Sequence, residues 1–188
     1  APDYETKSSY AITLSLTDGT ETVTKDVTIA IIDINDAAPV FTSDATFSAA
    51  ENQTAIGTVT ATDPEGDSFS FSISGTELSI TSEGVLSFTS APDYETKATY
   101  TATVTVVDTE DNSATQVITV NVTNVNDNSP VFTSNATFSA EENQTAIGTA
   151  TVTDADGDDI SFTVSGDELE ISSSGDLTFI AAPDYETK

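Results

Sequence analysis

Residues 100–108 read YTATVTVVD and residues 10–18 read YAITLSLTD. Tyr100, Ala102, Val104 and Val106 alternate with threonines in the first, and Tyr10, Ile12, Leu14 and Leu16 alternate with Ala11, Thr13 and Ser15 in the second. Period two with β-branched filling gives strands that turn an apolar row to a core and a small or hydroxyl row to water. The same pattern holds at Phe69, Phe71 and Ile73. Further strands are predicted over 27–31, 85–88, 118–122 and 162–164, each bounded by Asp, Gly, Asn or Pro. No segment of ten or more residues spaces its apolar side chains at 3.6, so helix is expected to be nearly absent.

These two stretches are copies of each other within a longer repeat. APDYETK stands at 1–7, 91–97 and 182–188, ENQTAIGT at 51–58 and 142–149, and PVFTS at 39–43 and 130–134. The first APDYETK interval is 90 residues and the second 91, while the Asn-Asp pairs at 35–36 and 126–127 already stand 91 apart, so one residue is gained in the stretch after Asp108 relative to that after Asp18, which marks a loop there. A period near 90 exceeds that of solenoid repeats and suits a whole small domain, with about seven short strands per period forming an all-β sandwich. The chain reads as the inside of a longer array of such units.

Composition removes most chemistry. The chain has 188 residues, 32 acidic and 4 basic side chains and a net charge of −28, and all four cations are lysines. Nucleic acid is therefore an unsuitable partner, and no basic stripe exists for an anionic membrane surface. With neither Cys nor His, disulfides, imidazole metal sites and Ser-His or Cys-His nucleophiles are excluded. No apolar run reaches the roughly 20 residues needed to span a bilayer, and no signal-peptide pattern opens the chain. Yet 37% of the residues are hydrophobic, with nine Phe and five Tyr, more than a disordered polyanion usually carries.

The acids concentrate in turn-like segments: Asp3-Tyr4-Glu5, Asp33 to Asp36, Glu51, Asp63 to Asp67, Asp93-Tyr94-Glu95 and Asp108, most of them recurring one period later. A sandwich gathers its turns at two poles, so these carboxylates converge there and repel one another by ~4 kcal/mol per pair at 4 Å and an effective dielectric near 20. Four lysines do not neutralise such clusters. All-oxygen ligands on flexible loops select a hard divalent ion, and Ca²⁺ over Mg²⁺.

With the Asp-x-Asn-Asp linker at Asp33 to Asp36 ahead of Pro39, Asp93-Tyr94-Glu95, Glu51-Asn52, Asp63-x-Glu65 and the late Asp108, all in order within the ~91-residue period, the chain resembles the cadherin family of calcium-dependent extracellular repeats. The resemblance implies tandem Greek-key, Ig-like sandwiches. It frames residues 1–38 as the C-terminal half of one repeat, 39–129 as a complete repeat, and 130–188 as the N-terminal half of the next. It further implies a calcium junction held by Asp3, Glu5, Asn35 and Asp36, the carbonyls of Ile34 and Ala37, and Asp63, Glu65 and Asp108. A second would use Glu51, Asp93, Glu95, Asn126, Asp127, the carbonyls of Val125 and Asn128, and Asp154 and Asp156. Glu65 stands where the family has Asp, Asn124 replaces the first linker Asp, and Ala50 or Glu141 stands where a Pro usually precedes the Glu-Asn pair.

The resemblance therefore implies a non-enzymatic, secreted or cell-surface module. Calcium would convert a loose chain of repeats into a stalk or fibre that supports adhesion, by binding the aligned junction and not the flexed one. Ser/Thr-rich, Cys-free, nearly identical repeats resemble large bacterial surface proteins more than vertebrate cadherins. Besides calcium, the implied partners are neighbouring repeats of the same chain, further copies through self-association or homophilic contact, and polysaccharide. Three other readings stand beside this one: an acidic surface that serves solubility, a glycosidase pair at Glu51 and Glu95, and a calcium-independent Ig-like or fibronectin-like spacer. Tyr94 and Tyr185 read as packing or rim residues, the sequons at Asn52, Asn121, Asn135 and Asn143 await a glycosylating host, and Gly66-Asp67 and Gly157-Asp158 read as turns whose acids could reach a metal.

Overall fold

The computed structural model of the protein describes residues 1–186. They form two compact units, Ala1–Thr123 and a second beginning at Asn124. The first unit holds β1 (Ser9–Thr17), β2 (Thr22–Ala30), β3 (Val40–Phe41), β4 (Thr46–Ala50), β5 (Ala55–Thr58), β6 (Ala61–Thr62), β7 (Phe69–Ile73), β8 (Leu78–Ile80), β9 (Val85–Phe88), β10 (Thr99–Asp108) and β11 (Ser113–Thr123). The second holds β12 (Val131–Phe132), β13 (Ala146–Thr149), β14 (Val152–Thr153), β15 (Leu169–Ile171) and β16 (Asp176–Phe179). No helix occurs among the described residues, as the absence of a 3.6 period required.

The complete sandwich is built from β3 to β11. One sheet has the order β4-β11-β10-β7, facing it is β5-β9-β8, and the short pair β3-β6 flanks them. β10 and β11 are antiparallel with Tyr100 opposite Val120 and Val104 opposite Gln116, while β4 joins β11 in parallel with Phe47 opposite Val120. The apolar row read from the sequence points inward, and Val104, Val106, Ile118 and Val120 meet Val59, Leu86 and Phe88 in a core that excludes water. The Phe88 ring stands edge-on to Tyr100 at 5.1 Å between centroids, a favoured aromatic geometry. Truncating the fully buried Ile118 to Val is expected to cost about 1 kcal/mol, read as a lower urea midpoint with unchanged slope.

Elsewhere the same sequence pattern meets a different environment. β1 and β2 pair with each other from Ser9 opposite Ala30 to Thr17 opposite Thr22 and form a two-stranded sheet. Their core-type side chains are largely exposed, 52% at Leu14 and 77% at Leu16. The residue gained after Asp108 falls at the turn joining β10 to β11, where the paired Val107 and Ser113 enclose five residues and the equivalent Thr17 and Thr22 enclose four. The strand predicted over 162–164 does not form. Its counterpart one period earlier, β7, is held by β10, and the second unit has no strand in that role among its described residues. Alternation supplies a face for a strand, but the ladder partner makes it one.

Candidate metal centres at the strand ends

β10 carries acids at both of its ends, preceded by the Asp93-Tyr94-Glu95 turn and closed by Asp108. At the Asp108 end, Glu5, Asp36 and Glu65 each bring a carboxylate oxygen within 4.8 Å of the others, and Asp63, Glu65 and Asp67 do the same. Asp63 follows β6, and its Oδ1 accepts the amides of Glu65 and Asp67, each at 3.0 Å, a turn that aims three acids inward. The Glu65 carboxylate accepts the amides of Asp36 at 3.4 Å and Ala37 at 3.2 Å and so ties down the strand-free linker. That linker also carries the carbonyls of Ile34 and Ala37.

Asp108, 7% exposed, accepts the amides of Glu110 (2.8 Å) and Asn112 (2.9 Å) on Oδ1 and the Asn112 side chain (2.8 Å) on Oδ2. The same Asn112 amide donates to Asn35 Oδ1 at 2.9 Å. Asn112 thus joins the linker to the end of β10. Its only signal in the sequence is its place four residues after Asp108. Asn35 carries its amide nitrogen inward, so a ligand role for this side chain requires the amide turned over. Asp3 is occupied locally, accepting the Thr6 amide (3.2 Å) and hydroxyl (2.8 Å).

At the other end of β10, Glu51, Asp93 and Glu95 bring carboxylate oxygens within 4.8 Å of one another. Glu51 is only 3% exposed. Its Oε2 accepts the Tyr94 amide at 2.7 Å, and its own amide donates to Thr123 at the end of β11. Asn52 sits at φ 63° and donates to the Pro92 carbonyl, so the Glu-Asn element is a left-handed turn that asparagine tolerates. Tyr94, partly exposed, serves through its backbone amide.

The second unit repeats these devices. Asp154 Oδ1 accepts the Asp156 amide at 3.1 Å, and Asp156 Oδ2 accepts the amides of Asp127 (3.1 Å) and Asn128 (2.7 Å). Asn124, standing where the first linker has Asp33, donates to the Asp156 carbonyl at 2.8 Å. Val125 and Asn126 lie in the same strand-free linker. A further trio, Glu142, Asp184 and Glu186, reproduces Glu51, Asp93 and Glu95 one period on. The repeat itself is the signal that finds this trio.

Proton affinities record the crowding. The Glu5 carboxyl gains from its own backbone amide, but burial and the neighbouring Asp3, Glu65 and Asp33 outweigh that and raise it above the ordinary value. Thr6 lowers Asp3 and Thr96 lowers Asp93, chiefly through their hydroxyls. Burial works to raise Asp108, yet the hydrogen bonds from Asn112 and Glu110 prevail and hold it below the usual range. For Asp108 the stabilisation is present above the unfolded-state value and is lost as pH falls through the depressed folded value. In chelator, the acid limb of the stability curve is expected to be flatter in Asp108→Asn than in the wild type, with lower stability at neutral pH. Parallel acid limbs in the two proteins would refute the assignment.

A hard divalent cation fits this chemistry. Asp63 Oδ2 is buried and has no hydrogen-bond donor, although an ionised carboxylate oxygen away from water needs a donor or a cation. Glu65 and Asp67 each bring a carboxylate oxygen within 4.8 Å of one on Asp63, and every donor in the set is hard.

Comparison with known proteins places the fold. A family model described as a bacterial Ig domain matches residues 35–121. The extracellular cadherin domains 3–6 of protocadherin gamma B2 superpose with a TM-score of 0.76 at 22% identity, over 99% of this chain and 55% of that one. The human desmocollin-1 ectodomain gives 0.72 at 26% identity, over 100% and 42%. Mouse cadherin-23 repeats EC22–24 give 0.70 at 24%, over 98% and 68%. In sequence, the Fat-like cadherin-related tumor suppressor homolog of Drosophila melanogaster is 50% identical over 42 residues, which is 22% of this chain and 1% of that protein. The chain spans about half the length of the protocadherin structure and a hundredth of the Drosophila relative.

Proposed function

We propose that this protein, which carries a cadherin-like domain, is a calcium-stiffened extracellular repeat that spaces or supports an adhesive surface structure. In this reading residues 1–38 close one repeat, 39–129 form a complete one and 130–188 open the next. Calcium at the linker joins Glu5 and Asp36 to Asp63, Glu65 and Asp108, with carbonyls of Ile34 and Ala37 completing the shell. A linker without the ion carries mutually repelling carboxylates and bends freely. The bound ion favours one linker geometry by its differential affinity.

The observation that carries this reading is the orphaned, buried Asp63 Oδ2 beside the carboxylates of Glu65 and Asp67. A surface acidified for solubility alone would leave its carboxylates in water. Calorimetric titration of Ca²⁺ into the chelated chain, with Mg²⁺ as control, is expected to give saturable calcium-selective binding at ~10⁻⁴ to 10⁻³ M, the range of extracellular modules. Asp36→Ala removes the sites at the first linker and Asp127→Ala those at the second. A flat titration at millimolar calcium would leave a calcium-independent sandwich in its place.

A further inference from the structure

Asp18 and Asp108 open the turns after β1 and β10, and the two turns are built alike. Asp18 Oδ1 accepts the amides of Thr20 (2.9 Å) and Glu21 (2.8 Å), and the Asp18 amide donates to the Glu21 carbonyl. Asp108 Oδ1 accepts the amides of Glu110 and Asn112, and the Asp108 amide donates to the Asn112 carbonyl. Asn112 therefore stands where the earlier turn has Glu21, and the turn uses only the backbone of that residue. The side chain is free to do something else.

Asn112 Nδ2 lies among three oxygens: Asp108 Oδ2 at 2.8 Å, Asn35 Oδ1 at 2.9 Å and the Asn35 carbonyl at 3.3 Å. A carboxylate and a backbone carbonyl only accept, so these neighbours fix which way the Asn112 amide points. Converging oxygens, one of them on a carboxylate that is 7% exposed, are also what a hard cation seeks. Here a neutral donor of the chain itself is placed among them. Its hold extends to Asn35. With Oδ1 turned to Asn112, Asn35 leaves Nδ2 buried and without an acceptor among the described residues, an unfavourable state for a polar atom away from water. Turning the Asn35 amide over would offer its oxygen inward as a ligand, but would set Asn35 Nδ2 against Asn112 Nδ2, donor against donor. Asn35 cannot turn while Asn112 stays.

We propose that the Asn112 side chain is a latch on the first linker. It occupies Asp108 Oδ2, holds Asn35 in the orientation that does not ligate, and must swing out before Asn35 can serve Ca²⁺. The latch sets the calcium threshold of this linker, since a site open for a fraction of the time binds with an affinity reduced by that fraction. An ionised Glu at the same place, as at Glu21, has no proton to donate and makes no latch. The inference rests on the calcium reading above, and its test separates the two.

The test uses the chain carrying Asp127→Ala, in which the second linker is disabled. Calorimetric titration with Ca²⁺ is expected to give an apparent Kd about tenfold lower when Asn112→Ala is added. In chelator the same variant melts below its parent, because buried Asp108 Oδ2 has lost a donor. A residue that only braced the fold would weaken binding and stability together. Side-chain amide NMR gives a third reading: the Asn112 pair exchanges slowly in chelator and fast in saturating calcium. Tighter binding by Asn112→Ala, including the case in which its parent does not bind, supports the latch. Equal or weaker binding by the variant while the parent binds overturns the latch and leaves the calcium reading standing. Flat titrations of both at millimolar calcium overturn the calcium reading and the latch with it.

Discussion

Gly84→Ala lowers the stability of the complete sandwich by about 4–6 kcal/mol, the sum of three costs that act together. Gly84 sits at φ +90°, and an ideal Cβ there would lie 2.2 Å from the Val59 carbonyl oxygen and 3.1 Å from the Phe71 ring. The left-handed backbone conformation alone costs an L-residue roughly 1–2 kcal/mol. The obstructing atom is backbone and cannot rotate aside, so the strand segments must part. That loosens the Val59 amide from the Gly84 carbonyl, now 2.9 Å away, and disturbs Val59 and Phe71, both in the core. Urea unfolding gives the number directly. A loss under about 1 kcal/mol, the scale of an ordinary surface substitution, would mean that the close approach of residues 59 and 84 is not part of the folded state. Gly175 meets the Ala150 carbonyl at the same 2.2 Å, so the constraint recurs with the repeat.

Glu51→Gln is expected to change sign with calcium. Without the ion, Glu51, Asp93 and Glu95 hold like charges within 4.8 Å, and a pair at such a distance repels by roughly 3–4 kcal/mol at an effective dielectric near 20. The amide of Gln retains an oxygen for the Tyr94 amide now bound by Glu51 at 2.7 Å while removing one charge. In chelator, therefore, the variant melts several degrees above the wild type. In saturating calcium the order reverses, because the wild type gains about 2.7 kcal/mol from a ligand at a hundred times its Kd and the variant gains less. Melting both proteins in both conditions is sufficient. The same order of melting in chelator and in calcium would remove Glu51 from the metal site, whatever binds elsewhere.

The sandwich was legible because β10 alternates, with Thr99, Thr101, Thr103 and Thr105 opposite its apolar row, and because many short period-two runs occur with no helical period between them. The acidic loops were legible because they recur. Less visible was whatever depends on a partner far along the chain. Residues 162–164 alternate as well as 71–73 do, yet only the latter meet β10. The engagement of Glu65 with the linker amides, and the bridge that Asn112 makes from Asp108 to Asn35, likewise need the fold to bring residues together. The turn at Asn52 could be quoted as a motif from sequence, but its positive φ supplies the physical reason for the asparagine.

Because β4 and β11 run parallel, the chain enters β4 at Thr46, beside Thr119, and leaves β11 at Thr123, beside Ala50. Tension applied along the chain from both ends therefore drags these two strands past each other lengthwise. Their hydrogen bonds share the load and must fail together, whereas a hairpin pulled open at its free end loses them one at a time. Five paired residues act as a shear clamp across the ends of the sandwich, and the resistance resides in the strand direction, which no change of loop composition alters.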